Sequence, residues 1–303
     1  MVPVSGQDVG LGLAVAAAAA ICYETSYAMQ ALEARSVPQR AGARATLLIE
    51  LARRPRWLGA IVLAVVGFGL QIAALDVAPL TLGQPVVASG LLLLFYLGVR
   101  VLGERVGPRE VAAAVGIVAG VGGIAFAAPR RATSVSSPML FVLVLASLGL
   151  VALAPYVLRR LGRRGLLLVA SAGAADVVAV LMAKLVSNEL DDGRVLVAGV
   201  LAAGAGLTVL LGLTSETSAL QRLPATRVAP LVLVIQTTVP VLLAPLLLGE
   251  SWSRTRLGGA VIGASLVLVA AGTVVLATSR AVGGLRAGDA LEHQRGGGGQ
   301  LGE

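Results

Sequence analysis

Three carboxylic acids lie inside long apolar stretches of the chain, and they are the residues best suited to chemistry. Asp176 occurs in GAADVVAVLMAK, Glu24 in CYETSYAMQ and Glu216 in TSETSALQ. An ionisable group within an apolar segment is costly, so each is a candidate for binding a coupling proton or a cationic group. The alternative for each is a structural carboxylate that is hydrogen-bonded to a neighbouring helix.

Amides and prolines extend this set of polar candidates. Gln84 and Gln236 lie close to prolines, and Pro85 has a counterpart, Pro230, in the second copy of an internal repeat. Proline frees a backbone carbonyl, and such breaks often line the substrate path of transporters, although a simple kink is the other interpretation. Two tyrosines beside Glu24 and a glutamine that matches Glu216 in the repeat complete the set. The candidate ion- or substrate-binding residues are therefore Asp176, Glu24, Glu216, Gln71, Gln84 and Gln236, and the candidate path-lining residues are Pro85, Pro230, Tyr23 and Tyr27.

The composition argues against a soluble domain and against most enzymes. Hydrophobic residues make up 57% of the 303 residues, and charged residues only 13%. His293 is the only histidine and Cys22 the only cysteine, so no histidine- or cysteine-based metal site or catalytic triad is expected, and no metal ligands are assigned. No phosphate-binding loop or nucleophile elbow occurs, although chemistry by aspartate alone stays open. We expect neither an enzyme nor a cofactor.

The apolar stretches predict an all-α, polytopic membrane bundle, because runs of about 20 apolar residues cross a bilayer as helices. A more polar segment, 40–55, predicts a short helix on the membrane surface. The arginines lie between the apolar runs, which indicates membrane topology rather than nucleic-acid binding. The nine predicted spans are 9–31, 57–76, 80–101, 109–128, 139–158, 165–187, 195–219, 228–248 and 257–278.

Arginine placement also predicts orientation. The loops at 32–56, 105–109, 159–164 and 222–227 are rich in arginine and would lie on one side of the membrane. The positive-inside rule then puts the N-terminus outside and the C-terminus in the cytoplasm. Twenty-four basic residues with a single lysine, Lys184, suggest a GC-rich bacterial genome, and hence a bacterial inner membrane.

An internal repeat organises the chain. One copy reads ALDVAPLTLGQPVVASGLLLLFYLGVRVLGER from Ala74, and the other reads ALQRLPATRVAPLVLVIQTTVPVLLAPLLLGES from Ala219. Aligning the two alanines also aligns two prolines of each copy (79 with 224 and 85 with 230) and, after a slip of one residue, the Gly-Glu pairs at 103–104 and 249–250. With the predicted orientation the copies cross the membrane in opposite senses, which is the inverted-repeat arrangement of many secondary transporters. We interpret Glu104 and Glu250 as structural residues that cap a helix or pair with an arginine.

The repeat predicts a division of the chain into a first transmembrane repeat over 1–128, a second over 139–279, and a disordered cytoplasmic tail over 280–303. A pair of glycines follows each copy at a spacing that lets helices approach closely. We expect these residues to bring the two halves, or two protomers of a homodimer, together. They are Gly116, Gly120, Gly259 and Gly263.

At the Ala-Leu, Pro and Gly-Glu pattern the sequence resembles the drug/metabolite transporter superfamily with EamA-like repeats. The stretch RRPRWLGAIVLAVVGFGLQIAALDVAPLTLGQPVVASGLLLLF is similar to the NIPA-type magnesium transporter branch. The resemblance covers roughly residues 9–280 and implies two inverted repeats around a substrate cavity. The superfamily's ten-helix pattern implies that one span is reduced here to the segment 40–55.

Together these features predict a secondary transporter that moves a small solute across the lipid bilayer by alternating access and is coupled to protons. One alternative is a permease for a divalent cation such as Mg²⁺, for which a sparse set of hard oxygen ligands would suffice. Another is a membrane protein that does not transport, such as a partner subunit or an accessory of a flippase for cell-envelope lipids.

Overall fold

The computed structural model describes residues 6–38, 46–77, 80–127, 138–158, 164–248 and 259–279. Within these ranges the chain is all helical and contains no strand. The ten helices are α1 (Gly6–Arg35), α2 (Thr46–Ala52), α3 (Pro55–Val77), α4 (Leu80–Arg100), α5 (Pro108–Ala127), α6 (Pro138–Val157), α7 (Gly165–Asp191), α8 (Val195–Leu220), α9 (Ala225–Leu248) and α10 (Ala260–Thr278).

Seven of the described helices are long and apolar enough to cross a membrane by length and composition. They are α1, α5, α6, α7, α8, α9 and α10. The described apolar parts of α3 and α4 are shorter, at Pro55–Gln71 and Val86–Arg100. The protein is therefore a multi-pass integral membrane protein built as a helical bundle, and in its described residues seven of the nine predicted spans correspond to helices of membrane-crossing length.

The segment predicted to lie on the membrane surface contains α2, a helix of seven residues. At 1.5 Å per residue it is far too short to span a bilayer. Its Leu47 and Leu51 are buried together with Val37 and Trp57, which fastens α2 to the ends of α1 and α3. Residues 40–45 of this segment lie outside the described residues, as does the predicted tail.

Helix boundaries follow local sequence signals. Proline is the first residue of α3, α5 and α6, where its missing N–H would be unpaired in any helix. Gly103 follows α4 with φ of +64°, a left-handed conformation that glycine adopts without strain. This turn reverses the chain immediately before Glu104 and so directs the Glu104 carboxylate back into the bundle.

Two sets of helices form the bundle. In the first, α1 packs against α3 and α4, and α4 packs against α5; in the second, α7 packs against α8 and α9, and α9 packs against α10. The helices α5 and α10 pack against each other and join the two sets. The remaining long helix, α6, packs mainly on α7, where Ala152 contacts a small cluster around Ala174 and Ala175.

Small side chains allow the helices to approach closely. The buried face of α1 consists largely of alanines, among them Ala28, Ala31 and Ala34. These pack in one core with leucines and valines of α4, α5 and α7 to α10. Because apolar burial contributes little to helix association inside a bilayer, close van der Waals contact between small residues is what holds such interfaces together.

Candidate functional site

A cavity of about 600 Å³ lies among six helices, α1, α3, α4, α7, α8 and α9, with one contact from α5. A volume of this size accommodates a small molecule. All three carboxylic acids predicted from the sequence line this cavity, together with Tyr23, Tyr27, Gln71 and Gln236. The structure therefore brings seven of the predicted site residues to one place.

The three carboxyl groups come from different helices and meet around Glu216. Glu216 on α8 lies close enough to Glu24 on α1 and to Asp176 on α7 for their charges to interact. Tyr27 on α1 faces the same carboxyls, and its enclosed hydroxyl makes no hydrogen bond of ordinary geometry although the Glu216 carboxyl is beside it. Both sets of helices thus contribute to one acidic cluster.

Two glycines make room for two of these carboxylic acids. A Cβ atom added to Gly90 on α4 would lie 3.1 Å from Cγ of Glu24, and one added to Gly212 on α8 would lie 3.0 Å from Oδ1 of Asp176. Each acidic side chain therefore rests against the bare backbone of a neighbouring helix. A larger residue at either glycine would displace the carboxyl group.

Hydrogen bonds fix the cavity-facing side of α1 on α3. The Tyr23 hydroxyl donates to Oε1 of Gln71 at 2.8 Å, and the Ser26 hydroxyl donates to the Ala60 carbonyl at 2.7 Å. Gln30 donates through Nε2 to the Ser26 hydroxyl at 3.0 Å. These bonds hold α1 at the rotation that points Glu24 into the cavity.

The charge of the cavity is unbalanced. Three carboxylic acids line it, and no lysine, arginine or histidine is found among the described lining residues. The described part of the chain also holds no group of three or more acidic, histidine or cysteine side chains arranged to bind a metal ion directly. When ionised, the carboxylates would repel one another, so the cavity can take up positive charge as protons or as a cation.

The other predicted residues lie elsewhere or outside the described part. Pro230 is buried in α9, one residue from the lining residue Ala229. Gln84 and Pro85 belong to α4, but their side chains lie outside the described residues. Lys184 belongs to α7, and its side chain is also outside the described residues.

The four glycines predicted to support helix packing differ in their surroundings. A Cβ atom at Gly120 would lie 2.5 Å from Val269 and 2.9 Å from the Ser265 carbonyl on α10, whereas one at Gly116 would be in ordinary contact with Leu268. Gly259 precedes α10 in a left-handed conformation, and Gly263 has no atom within 4 Å of its Cβ position. Close approach between α5 and α10 therefore occurs at Gly120.

Glu104, which the sequence analysis interpreted as structural, binds an arginine and caps a helix. Its carboxylate pairs with Arg35 at the end of α1 and accepts hydrogen bonds from the first residues of α9. The capped helix is thus not the next one, α5, but one that begins 121 residues later. The repeat-matched Glu250 lies outside the described residues.

Sequence reasoning missed a second polar group, in which α6, α7 and α8 meet. The Ser171 hydroxyl donates to the Ala152 carbonyl at 2.5 Å and lies 2.9 Å from the Ser215 hydroxyl, which is 2.8 Å from the Tyr156 hydroxyl. Ser171 is fully buried. The signal for this group was the presence of three hydroxyl residues in otherwise apolar helices, but nothing in the sequence indicated that they meet.

Fold and site together define a class, an integral membrane helical bundle with an acidic central cavity. Compared with family models, with curated proteins and with solved structures, the chain has no match in any of the three sets.

Proposed function

We propose that the protein is a secondary transporter of the drug/metabolite type that carries a small cationic solute in exchange for protons. The single observation that carries this proposal is the cluster of Glu24, Asp176 and Glu216 in a membrane-embedded cavity whose described lining residues include no positive side chain. Intramembrane carboxylates are costly and mark proton relays and ion paths. A cavity that needs positive charge can hold protons in one state and a cation in another.

The packing pattern supports alternating access between two related halves. In this proposal α1, α3, α4 and α5 correspond to α7, α8, α9 and α10, since each set makes the same succession of contacts. The correspondence agrees with the sequence repeat, which aligns Gln71 with Glu216. It leaves α6 as the long helix without a counterpart.

The exchange follows from the same electrostatics. Empty of cargo, the three acids share protons, because neighbouring ionised carboxylates removed from water repel one another. A cation that enters offers a replacement charge, and protons leave for the aqueous phase on that side. Tyr23, Tyr27 and Phe68 supply aromatic surface beside the acids, which suits an organic ammonium group.

A divalent cation permease is the second candidate, and it rests on the same acidic cluster. Mg²⁺ keeps several of its waters and needs only one or two carboxylates. The absence of a metal-binding group among the described residues leaves only this hydrated form of binding.

A protein that does not transport is the third candidate. If this candidate is correct, the cavity carboxyls can be neutralised without loss of function.

Proteoliposomes that contain a pH-sensitive dye test the proposal. Tetraethylammonium or Mg²⁺ is added outside, and we expect the wild-type protein to move protons outward as tetraethylammonium enters. Asp176→Asn and Glu216→Gln should abolish the signal. Glu110→Gln should keep it, because Glu110 lies at the start of α5 outside the cavity and accepts hydrogen bonds from Gly107 and Ser279.

Each other outcome selects an alternative. Mg²⁺ entry without proton movement would favour the permease. Equal signals from wild type and both cavity variants would contradict a role for the carboxyls in exchange, and a wild type that is silent with both cations would remove the support for cation transport.

A further inference from the structure

Glu104 joins the two sets of helices at one end of the bundle. One carboxylate oxygen, Oε1, accepts hydrogen bonds from Arg35 and from the backbone N–H of Ala225 at 2.6 Å. The other, Oε2, accepts from the N–H of Thr226 at 3.0 Å and from its hydroxyl at 2.6 Å. The Glu104 side chain is only 2% exposed. One buried carboxylate thus holds the end of α1, the end of α4 and the start of α9 together.

Further bonds at the same end tie α1 to the turn between α8 and α9. Arg35 donates through Nε to the Leu220 carbonyl at 3.4 Å. Gln221 donates through Nε2 to the carbonyls of Ala34 and Val37 at 3.0 and 3.2 Å. We call Arg35, Glu104, Gln221 and Thr226, with the backbone groups they bind, the clasp.

The chain is tightly packed between the clasp and the cavity. Leu94, Phe95, Leu220 and Val228 are each at most 5% exposed in this layer. Gly98 lies under the clasp, where a Cβ atom would collide with the methyl group of Thr226. The cavity is therefore closed toward the clasp.

Three lining residues away from the clasp have exposed side chains. Phe68 is 58% and Val180 60% exposed, and Gln236 is exposed as well. All three lie at or beyond the midpoints of their helices, as counted from the clasp end. The cavity is thus sealed by packed side chains on the clasp side, and its exposed lining residues lie away from the clasp.

We propose that the clasp is the closing contact of a gate, and that cargo passes the clasp side only when Glu104 releases the start of α9. The inference rests on the proposed transport function. The Arg35–Glu104 ion pair lies within the first set, as does the pair of Glu33 with Arg54, which is in the turn before α3. The bonds from Glu104 to the start of α9, and those of Arg35 and Gln221 between α1 and the turn after α8, instead span the two sets of helices, whose relative movement opens the cavity.

The energetics suit a switch. Hydrogen bonds to a charged group are stronger than neutral ones, and a carboxylate at a helix start also interacts with the helix dipole. The bonds from Glu104 to the start of α9 are lost together when α9 moves away, and water at the membrane surface can then solvate the freed groups. A contact that is strong when made and replaceable by water when broken favours two discrete states.

Cysteine accessibility tests the gate independently of any cargo. In a Cys22→Ala background, which removes the only cysteine, Ala229→Cys places a thiol in the cavity wall. Membrane vesicles of both orientations are treated with a membrane-impermeant maleimide. Arg105→Cys, at an exposed position next to Glu104, identifies the vesicles in which the clasp side faces the reagent.

We expect Glu104→Gln to speed labelling of Ala229→Cys from the clasp side about tenfold, which corresponds to a loss of about 1.4 kcal/mol from the closed state. Thr226→Ala removes one of the donors and should give a smaller increase in the same direction. Glu33→Gln, the matched control within one half, should leave the rate unchanged.

Unchanged labelling in both Glu104→Gln and Thr226→Ala would overturn the proposal. If Glu104→Gln fails to fold, as judged by gel filtration, Thr226→Ala decides. An equal increase in Glu33→Gln would also overturn it, because general loosening of that end would then explain the result. Labelling does not require transport, so the gate can fail while cation exchange stands, and the reverse.

Discussion

A single methyl group at Gly120 should weaken the contact between α5 and α10. In Gly120→Ala the new Cβ would lie 2.5 Å from Cγ2 of Val269, 2.9 Å from the Ser265 carbonyl oxygen and 3.2 Å from the Val269 nitrogen. Favourable separation of non-bonded carbon atoms is about 3.5 to 4.0 Å. The valine side chain can rotate, but the two backbone atoms move only with the whole of α10.

The magnitude follows from two opposing effects. Inserting a methyl group into a closely packed interface costs about 1–3 kcal/mol. Replacing glycine by alanine inside a helix returns up to about 1 kcal/mol. Separation of the helices by a fraction of an ångström also forfeits part of the dispersion energy along the interface. We therefore expect a net loss of about 1–2 kcal/mol in the free energy of unfolding.

Unfolding in mixed micelles, followed by circular dichroism as the fraction of denaturing detergent rises, measures this loss. Gly263→Ala is the control, because Gly263 is exposed on α10 and its Cβ position is open. That variant should be as stable as the wild type or up to about 1 kcal/mol more stable. Equal stability of the Gly120 and Gly263 variants would refute the reasoning, since the close approach of α5 and α10 would then be absent.

Two further predictions concern the site and its supports. Gly212→Ala should push the Asp176 carboxyl out of position and reduce proton-coupled cation flux several-fold in a folded protein. Gly206→Ala is the control on the same helix, because a Cβ atom there would have no atom within 4 Å, and it should leave flux unchanged. Equal flux in both variants would contradict the role of Gly212. Ser171→Ala should lower the free energy of unfolding by about 1–3 kcal/mol, because it removes a buried hydrogen-bond donor and acceptor between α6, α7 and α8. A variant as stable as the wild type would show that the hydrogen bonds of Ser171 contribute little to stability.

The sequence was informative where local composition determines structure. Apolar length alone located the seven described helices that are long and apolar enough to cross a membrane, since a bilayer requires about 20 apolar residues for each crossing. The rarity of acids in such helices drew attention to Asp176, Glu24 and Glu216, all of which line the cavity. The short helix α2 was likewise expected from the more polar segment 40–55.

The contacts between helices could not be predicted in the same way. The partners of Glu104 are 69, 121 and 122 residues away, and no local pattern relates Arg35 to Thr226. The glycines that accommodate the cavity acids, Gly90 and Gly212, have no signature apart from being glycine. Gly116 and Gly263 show the same limit, because the spacing of glycines does not reveal how each helix is rotated about its axis.

The clasp also has a consequence for how the protein is made. Glu104 is synthesised long before Thr226, so the first half enters the membrane with this carboxylate and Arg35 still without the α9 backbone that completes the site. Chains are made from the N-terminus, so the clasp can form only after nearly three-quarters of the protein has been synthesised. The contacts that join the two sets of helices at this end are therefore made late in biogenesis.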